Sequence, residues 1–217
     1  MTFIEKVKTA SLNPNMFYQR IKAEVGIIEA FKYLIILSIG YTIMSFVSSL
    51  FLSYFLFSIF YGIGYPSIIP VYGIFGFGSL IRSGFTFVGL MIGPFISAGI
   101  MHLFTKMFGG KNDYSATYKV TVYSSTPTLV IGWIPYVGWL VSFYSLYLFI
   151  KGLSILHDIS MSRAFLVILI PIIIVVIIMG AIAFFWLTSI LYTYRTPIDM
   201  IPTGQIYSIL SKYFDIY

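Results

Sequence analysis

Apolar residues recur in long runs along the chain, and the polar positions gather in the short segments between them. A helix needs about 20 mostly apolar residues to cross the hydrocarbon core of a bilayer. Five stretches meet or approach that length: Tyr33 to about Phe60, about Phe85 to Met107, Ala116 to Trp133, Tyr136 to Leu156, and Ala164 to Leu191. The fifth carries no charge, whereas the third is short and rich in hydroxyls. The pattern predicts an all-α polytopic transmembrane bundle of five helices over residues 33–191.

Ahead of the first span, residues 1–32 read as a separate cytosolic or interfacial segment. In "SLNPNMFYQRIKAEVG", Asn13 suits a helix N-cap and Pro14 the first helical position. Phe17, Ile21, Val25 and Ile28 recur at helical spacing, and Arg20 and Glu24 stand four apart on another face. The expectation is an N-terminal amphipathic helix, either lying in the headgroup region or packed on the cytosolic end of the bundle. Gly26 then permits a bend into the first span. Tyr61 to Gly84 is crowded with Gly, Pro and Tyr and is expected to be an external loop or a shallow interfacial excursion. Residues 192–217 form an extracytosolic C-terminal tail, with Ile206, Ile209, Leu210 and Tyr213 at helical spacing.

Composition turns this pattern into a statement about solvent. The chain is 59% hydrophobic and 9% charged, with a mean hydropathy of +0.95. A soluble domain is nearer 25% charged. There is too little polar surface to face water, so lipid surrounds most of the chain. The net charge of +6 does not indicate nucleic acid, because the cations sit beside the apolar spans. Ten of the thirteen lie in the N-terminal segment, the loop at Lys106–Lys119 and the loop at Lys151–Arg163. With five spans these fall on one side of the membrane. The positive-inside rule then places the N-terminus in the cytosol and the C-terminus outside. With no cysteine, disulfide and thiolate chemistry are excluded. The first apolar run is too long for a cleaved signal and is expected to be retained as an anchor.

Catalytic chemistry is absent from the pattern. All seven carboxylates lie outside the predicted spans, which removes the usual parts of a proton relay or an intramembrane aspartyl protease. No G-x-S-x-G elbow occurs. His102 and His157 are expected near the cytosolic ends of spans two and four, as interfacial hydrogen-bonding residues; their spacing from Asp113 and Asp158 matches no metal motif. Gly109-Gly110-Lys111 resembles part of a phosphate-binding loop, but Asn112 stands where Ser or Thr is needed and no strand precedes it. The same stretch predicts a helix end closed by a left-handed glycine, followed by an Asp113 or Ser115 cap. No catalytic residue, metal or cofactor is expected, and the chain is expected not to be an enzyme.

What remains is packing. Gly89, Gly93 and Ser97 share one face of span two, at the spacing that lets helices approach closely, and Pro94 adds a bend. In span three Ser124, Ser125, Thr126 and Thr128 surround Pro127. That proline frees the carbonyl of Tyr123, which nearby hydroxyls can satisfy inside lipid. Two readings follow: the polar helix glues its neighbours together, or it lines a path for a small solute or ion through Thr121, Ser124, Ser125 and Thr128.

Three stretches, "NPNMFYQRIKAEVGIIEAFKYL", "HLFTKMFGGKNDYSATYKVTVYSSTPTLV" and "YSLYLFIKGLSILHDISMSRAFLVILIP", resemble the Yip1 family of small five-span membrane proteins. The likeness runs from Pro14 to Pro171. Its most specific part is the order of Gly109-Gly110-Lys111, then Tyr123-Ser124-Ser125-Thr126-Pro127, then Gly152-Leu153 followed by His157, Ser160 and Ala164. The resemblance implies five membrane helices, a cytosolic N-terminus and a non-enzymatic role in organising membrane or binding partner proteins. Eukaryotic members are linked to vesicle formation and small GTPases. This chain looks like the compact prokaryotic members, so small-GTPase binding is not carried over. The expected partners are the lipid bilayer and either a second copy or another membrane protein, with no nucleic acid.

Overall fold

A computed structural model of the chain describes residues 1–62, 71–199, 204 and 210–213. Its helices in chain order are α1 (Phe3–Leu12), α2 (Pro14–Ile21), α3 (Ile28–Gly62), α4 (Val71–Met107), α5 (Tyr114–Ser124), α6 (Thr126–Ile131), α7 (Val137–His157) and α8 (Met161–Asp199). No strand occurs among the described residues. Four helical stretches are long and apolar enough to cross a membrane: Ile28–Ile59, Gly76–Met107, Val137–His157 and Met161–Thr193. They carry four of the five expected spans.

The third expected span, Ala116 to Trp133, is not among those four. It is broken into α5 and α6 at Ser125. Pro127 near the start of α6 is the physical reason, since it lacks an N–H and clashes with the preceding turn. The Tyr123 carbonyl is satisfied by hydroxyl chemistry, with Thr126 Oγ1 donating to it at 2.7 Å.

Two other expectations are corrected. The Gly- and Pro-rich stretch expected to be a loop is helical from Val71 onward, and the second span begins well before Phe85. Glycine lowers helix stability in water, but inside lipid an unpaired backbone group costs far more, so the helix persists. The N-terminal stripe also ends early. Phe17 and Ile21 are buried, whereas Val25 is 96% exposed and Ile28 66% exposed. Helix α2 stops at Ile21, Gly26 takes a left-handed φ of 74°, and α3 begins at Ile28.

The sequence reading also passed over α1. Its start is a capping box in which Thr2 Oγ1 accepts from the Glu5 N–H and the Glu5 carboxylate accepts from the Thr2 N–H.

The chain divides into two compact units, Met1–Ile168 and Leu169–Tyr217. In the first unit, α1 and α2 make a hairpin, α2 packs on α7, and α5 lies between α4 and α7. The core of this unit contains Phe17, Tyr18, Ile21, Tyr33, Tyr118, Tyr123 and Leu153. Along α3 full burial extends only as far as Leu37 and Ser38; Tyr41 still packs partly against the core, and most apolar residues beyond it are exposed. The second unit is built on the later part of α8, whose Ile172–Leu187 side chains are exposed and apolar throughout, as lipid-facing residues are. Of the expected tail helix, only residues 204 and 210–213 lie within the described residues.

Candidate functional site

The packed end of the first unit is built on two linked hydrogen-bond networks. The first begins at the turn after α4. Gly109 takes a φ of 87°, its N–H donates to Lys106 O at 3.1 Å, and the Gly110 N–H donates to Thr105 O at 2.8 Å. This is a Schellman closure, and it needs glycine at both places. A Cβ on Gly110 would stand 2.5 Å from Thr105 Cγ2 and 3.2 Å from His157 Nδ1. Asp113 then caps α5 by accepting from the Ala116 N–H at 3.4 Å. The Ser115 hydroxyl donates to the same carboxylate at 2.8 Å and holds its pKa below the usual range.

This turn is bolted to the end of α7. The Lys111 N–H donates to His157 O at 3.2 Å, and Asn112 Nδ2 donates to Leu156 O. The amides of Gly110 and Lys111 are therefore committed to carbonyls within the fold, and no phosphate cradle is formed. The two histidines, expected as separate interfacial residues, meet across α5. Thr117 Oγ1 lies 2.9 Å from His102 Nδ1 and 2.9 Å from His157 Nε2. His157, the last residue of α7, is fully buried within the protein.

The hydroxyl carries one proton, so at most one imidazole accepts from Thr117 and at least one donates to it. Among the described residues His157 Nδ1 is buried without a hydrogen-bond partner. An unpaired N–H there is costlier than an unpaired lone pair, which assigns the N–H to Nε2. Thr117 is then free to donate to His102. Sequence spacing concealed this triad because its members come from three helices. Among the described residues no group of three or more His, Cys, Asp or Glu is placed to hold a metal ion.

The second network fastens the N-terminal hairpin. Lys119 is only 4% exposed, and its ammonium donates to Glu24 O at 2.7 Å and Ile21 O at 3.4 Å. These are carbonyls at and just beyond the end of α2, where a cation also complements the helix dipole. The Glu24 carboxylate pairs with Lys6 at 3.1 Å and accepts from Tyr123 O–H at 3.2 Å. The expected Arg20–Glu24 pair is not formed, because α2 ends before Glu24; Arg20 instead faces Glu5 at 3.7 Å. Thr126 gives its proton to Tyr123 O, so the Tyr33 hydroxyl donates to Thr126 across 3.0 Å. Lys22 closes the outer edge on Asp158 at 2.6 Å and holds that carboxyl below its usual pKa.

Gly152 marks a close helix crossing. Built with a Cβ, it would stand 2.7 Å from Tyr18 Cζ and 2.9 Å from Val120 Cγ1. This position lets α2 and α5 both lie against α7. The opposite holds at Gly89 and Gly93, where an added Cβ would meet nothing within 4 Å. Among the described residues nothing packs closely on Gly89 or Gly93 of the predicted small-residue face. Ser97 donates back to Pro94 O at 3.4 Å.

The Yip1 domain family matches residues 9–192. The chain belongs to the Yip1 family. It is a membrane protein with several spans. An uncharacterized protein of Methanocaldococcus jannaschii is 30% identical over 122 residues, covering 56% of this chain and 79% of that protein. No solved structure matches the chain. Both networks of this Yip1 protein lie within the matched residues, apart from the Lys6 and Glu5 contacts supplied by α1.

Proposed function

We propose that this Yip1 protein is non-enzymatic and works as a rigid membrane-embedded platform that organises membrane or binds partner proteins. The observation that carries this reading is the use made of the polar third segment. Thr121, Ser124, Ser125 and Thr126 each donate to a backbone carbonyl of α5, and Thr128 pairs with Ser145 at 2.8 Å. A solute path needs such groups free to replace water. Here Thr121, Ser124 and Ser125 donate back onto α5, Thr126 ties α6 to α5 and Thr128 ties α6 to α7, which favours glue over a conduit.

In this reading the α5–α6 pair serves as a fifth pass. It starts at a turn hydrogen-bonded to the end of α7, packs along α7, and leads into the start of α7. The N-terminus is then cytosolic and the C-terminus outside. Lys22, Lys106, Lys111 and Arg163 gather at the end that faces the cytosol of a prokaryote, in keeping with the positive-inside rule.

Photo-crosslinking in native membranes from Trp139 or Phe143, both exposed on α7, is expected to capture a second copy or another membrane protein. Liposomes holding the purified protein are expected to stay tight to ions and small solutes. Monomers alone, with no change in vesicle shape, would refute the platform. Tracer leakage that Ser125→Leu reduces would establish the conduit instead.

A further inference from the structure

An apolar groove of about 550 Å³ runs between α1 and the α6–α7 corner. Val7 and Leu12 form one wall; Val130, Ile131, Leu140 and Val141 form the other. Its volume lies in the range of cavities that hold a small organic ligand, roughly 300–1,000 Å³. The groove is a built feature. The Tyr144 hydroxyl donates to Ser11 O at 2.5 Å and pins the end of α1 to α7. Leu140, Val130 and Ile131 of its lining are exposed and apolar, so the groove opens where lipid lies.

Lys8 is the one charged residue among those lining the groove. The ion pairs among the described residues engage Lys6, Arg20, Lys22 and Lys32, and none engages Lys8. On the far side of Leu12 and Tyr144 the groove adjoins a hollow of about 380 Å³ lined by Asn13 and Asn15. An apolar slot, a cation in its lining without an ion-pair partner among the described residues, and neutral polar groups beyond match an amphiphile with an acidic head.

We propose that the groove holds one acyl chain of an anionic phospholipid drawn from the bilayer, with the acidic headgroup on Lys8. Charge complementarity selects this occupant. A second copy of a chain with net charge +6 brings no excess anion to Lys8, and a zwitterionic lipid leaves that cation without a dedicated partner. The site stands whether or not a protein partner exists.

Native mass spectrometry tests it on the full chain in mixed micelles of equimolar phosphatidylglycerol and phosphatidylcholine. One retained lipid is expected, with phosphatidylglycerol favoured about fivefold, the factor one lysine supplies at an anionic lipid surface. Lys8→Ala changes an exposed side chain and is expected to abolish the preference, while Lys212→Ala preserves it. Leu140→Trp fills the groove and is expected to lower retention of both lipids. Equal retention of the two lipids by the unmodified protein overturns the proposal. So does a preference that survives Lys8→Ala, retention unaffected by Leu140→Trp, or a dimer in place of a lipid adduct.

Discussion

Adding one methyl group at Gly152 probes the docking of the N-terminal hairpin directly. In Gly152→Ala the new Cβ would sit 2.7 and 2.8 Å from two Tyr18 ring carbons and 2.9 Å from Val120 Cγ1. Carbon atoms prefer about 3.5–4.0 Å, so the ring must withdraw by roughly 1 Å. Tyr18 is fully buried, with Phe17 edge-on at 5.6 Å between ring centroids, which leaves little room. Overpacking of this kind costs about 1–3 kcal/mol. Alanine returns about 1 kcal/mol of helix propensity over glycine. The expected net loss is therefore about 1 kcal/mol, measured by reversible unfolding in mixed micelles. In a Tyr18→Leu background the two ring carbons are gone, and the same change is expected to be roughly neutral. A stabilisation of about 1 kcal/mol by Gly152→Ala in the unmodified protein would show that propensity alone operates. An identical cost in both backgrounds would show that Tyr18 is not the obstacle. Either result refutes the argument.

Lys119→Met keeps the length of the side chain but removes the donor for Ile21 O and Glu24 O; it is expected to cost about 1–3 kcal/mol and to speed proteolysis between α2 and α3. An unchanged cleavage rate would contradict that. Thr117→Val breaks both imidazole bonds at once and is expected to cost about 1–3 kcal/mol, whereas Thr117→Ser keeps the hydroxyl and stays near the unmodified stability; equal losses would point to packing rather than hydrogen bonding. The Lys22–Asp158 pair gives a pH signature. A depressed carboxyl adds stability above its unfolded pKa, near 3.9 for Asp, and that stability is lost as the pH falls through the folded value. The melting temperatures of the unmodified protein and Lys22→Met are therefore expected to differ at pH 7 and to converge as the pH falls below about 4; a gap that stays constant would remove Asp158 as its source.

The parts of this molecule legible in the sequence are those whose physics is local. Apolar runs of sufficient length gave the spans carried by α3, α7 and α8 to within about five residues, because lipid imposes a length and forbids open backbone. The Gly109 turn was legible for the same reason: a left-handed helix end, a glycine and an aspartate cap lie within five residues. So was the rescue of the Tyr123 carbonyl, since Pro127 and its hydroxyl neighbours are adjacent in the chain. The start of α1 was equally readable from Thr2 and Glu5, three apart, although the apolar stripe further on drew attention away from it. The Gly-rich start of α4 was misjudged on water-based propensity, which lipid overrides.

The long-range parts share another cause. Lys119 reaches Glu24 O across 95 positions, and Thr117 reaches His157 across 40. Nothing in a one-dimensional pattern distinguishes such a lysine from one that snorkels to the interface. The distinction matters for function, because a buried cation holding two carbonyls ties the N-terminal hairpin to the same helix that carries the histidine bridge. Lys119 and Thr117 lie two residues apart on α5, and Thr117 is in turn joined to α4 and α7 through the two histidines. A displacement of α5 therefore strains the hairpin, the α4–α5 turn and the end of α7 together. Rigidity of that kind suits a platform that presents a fixed surface, and it works against a gate whose third segment must move.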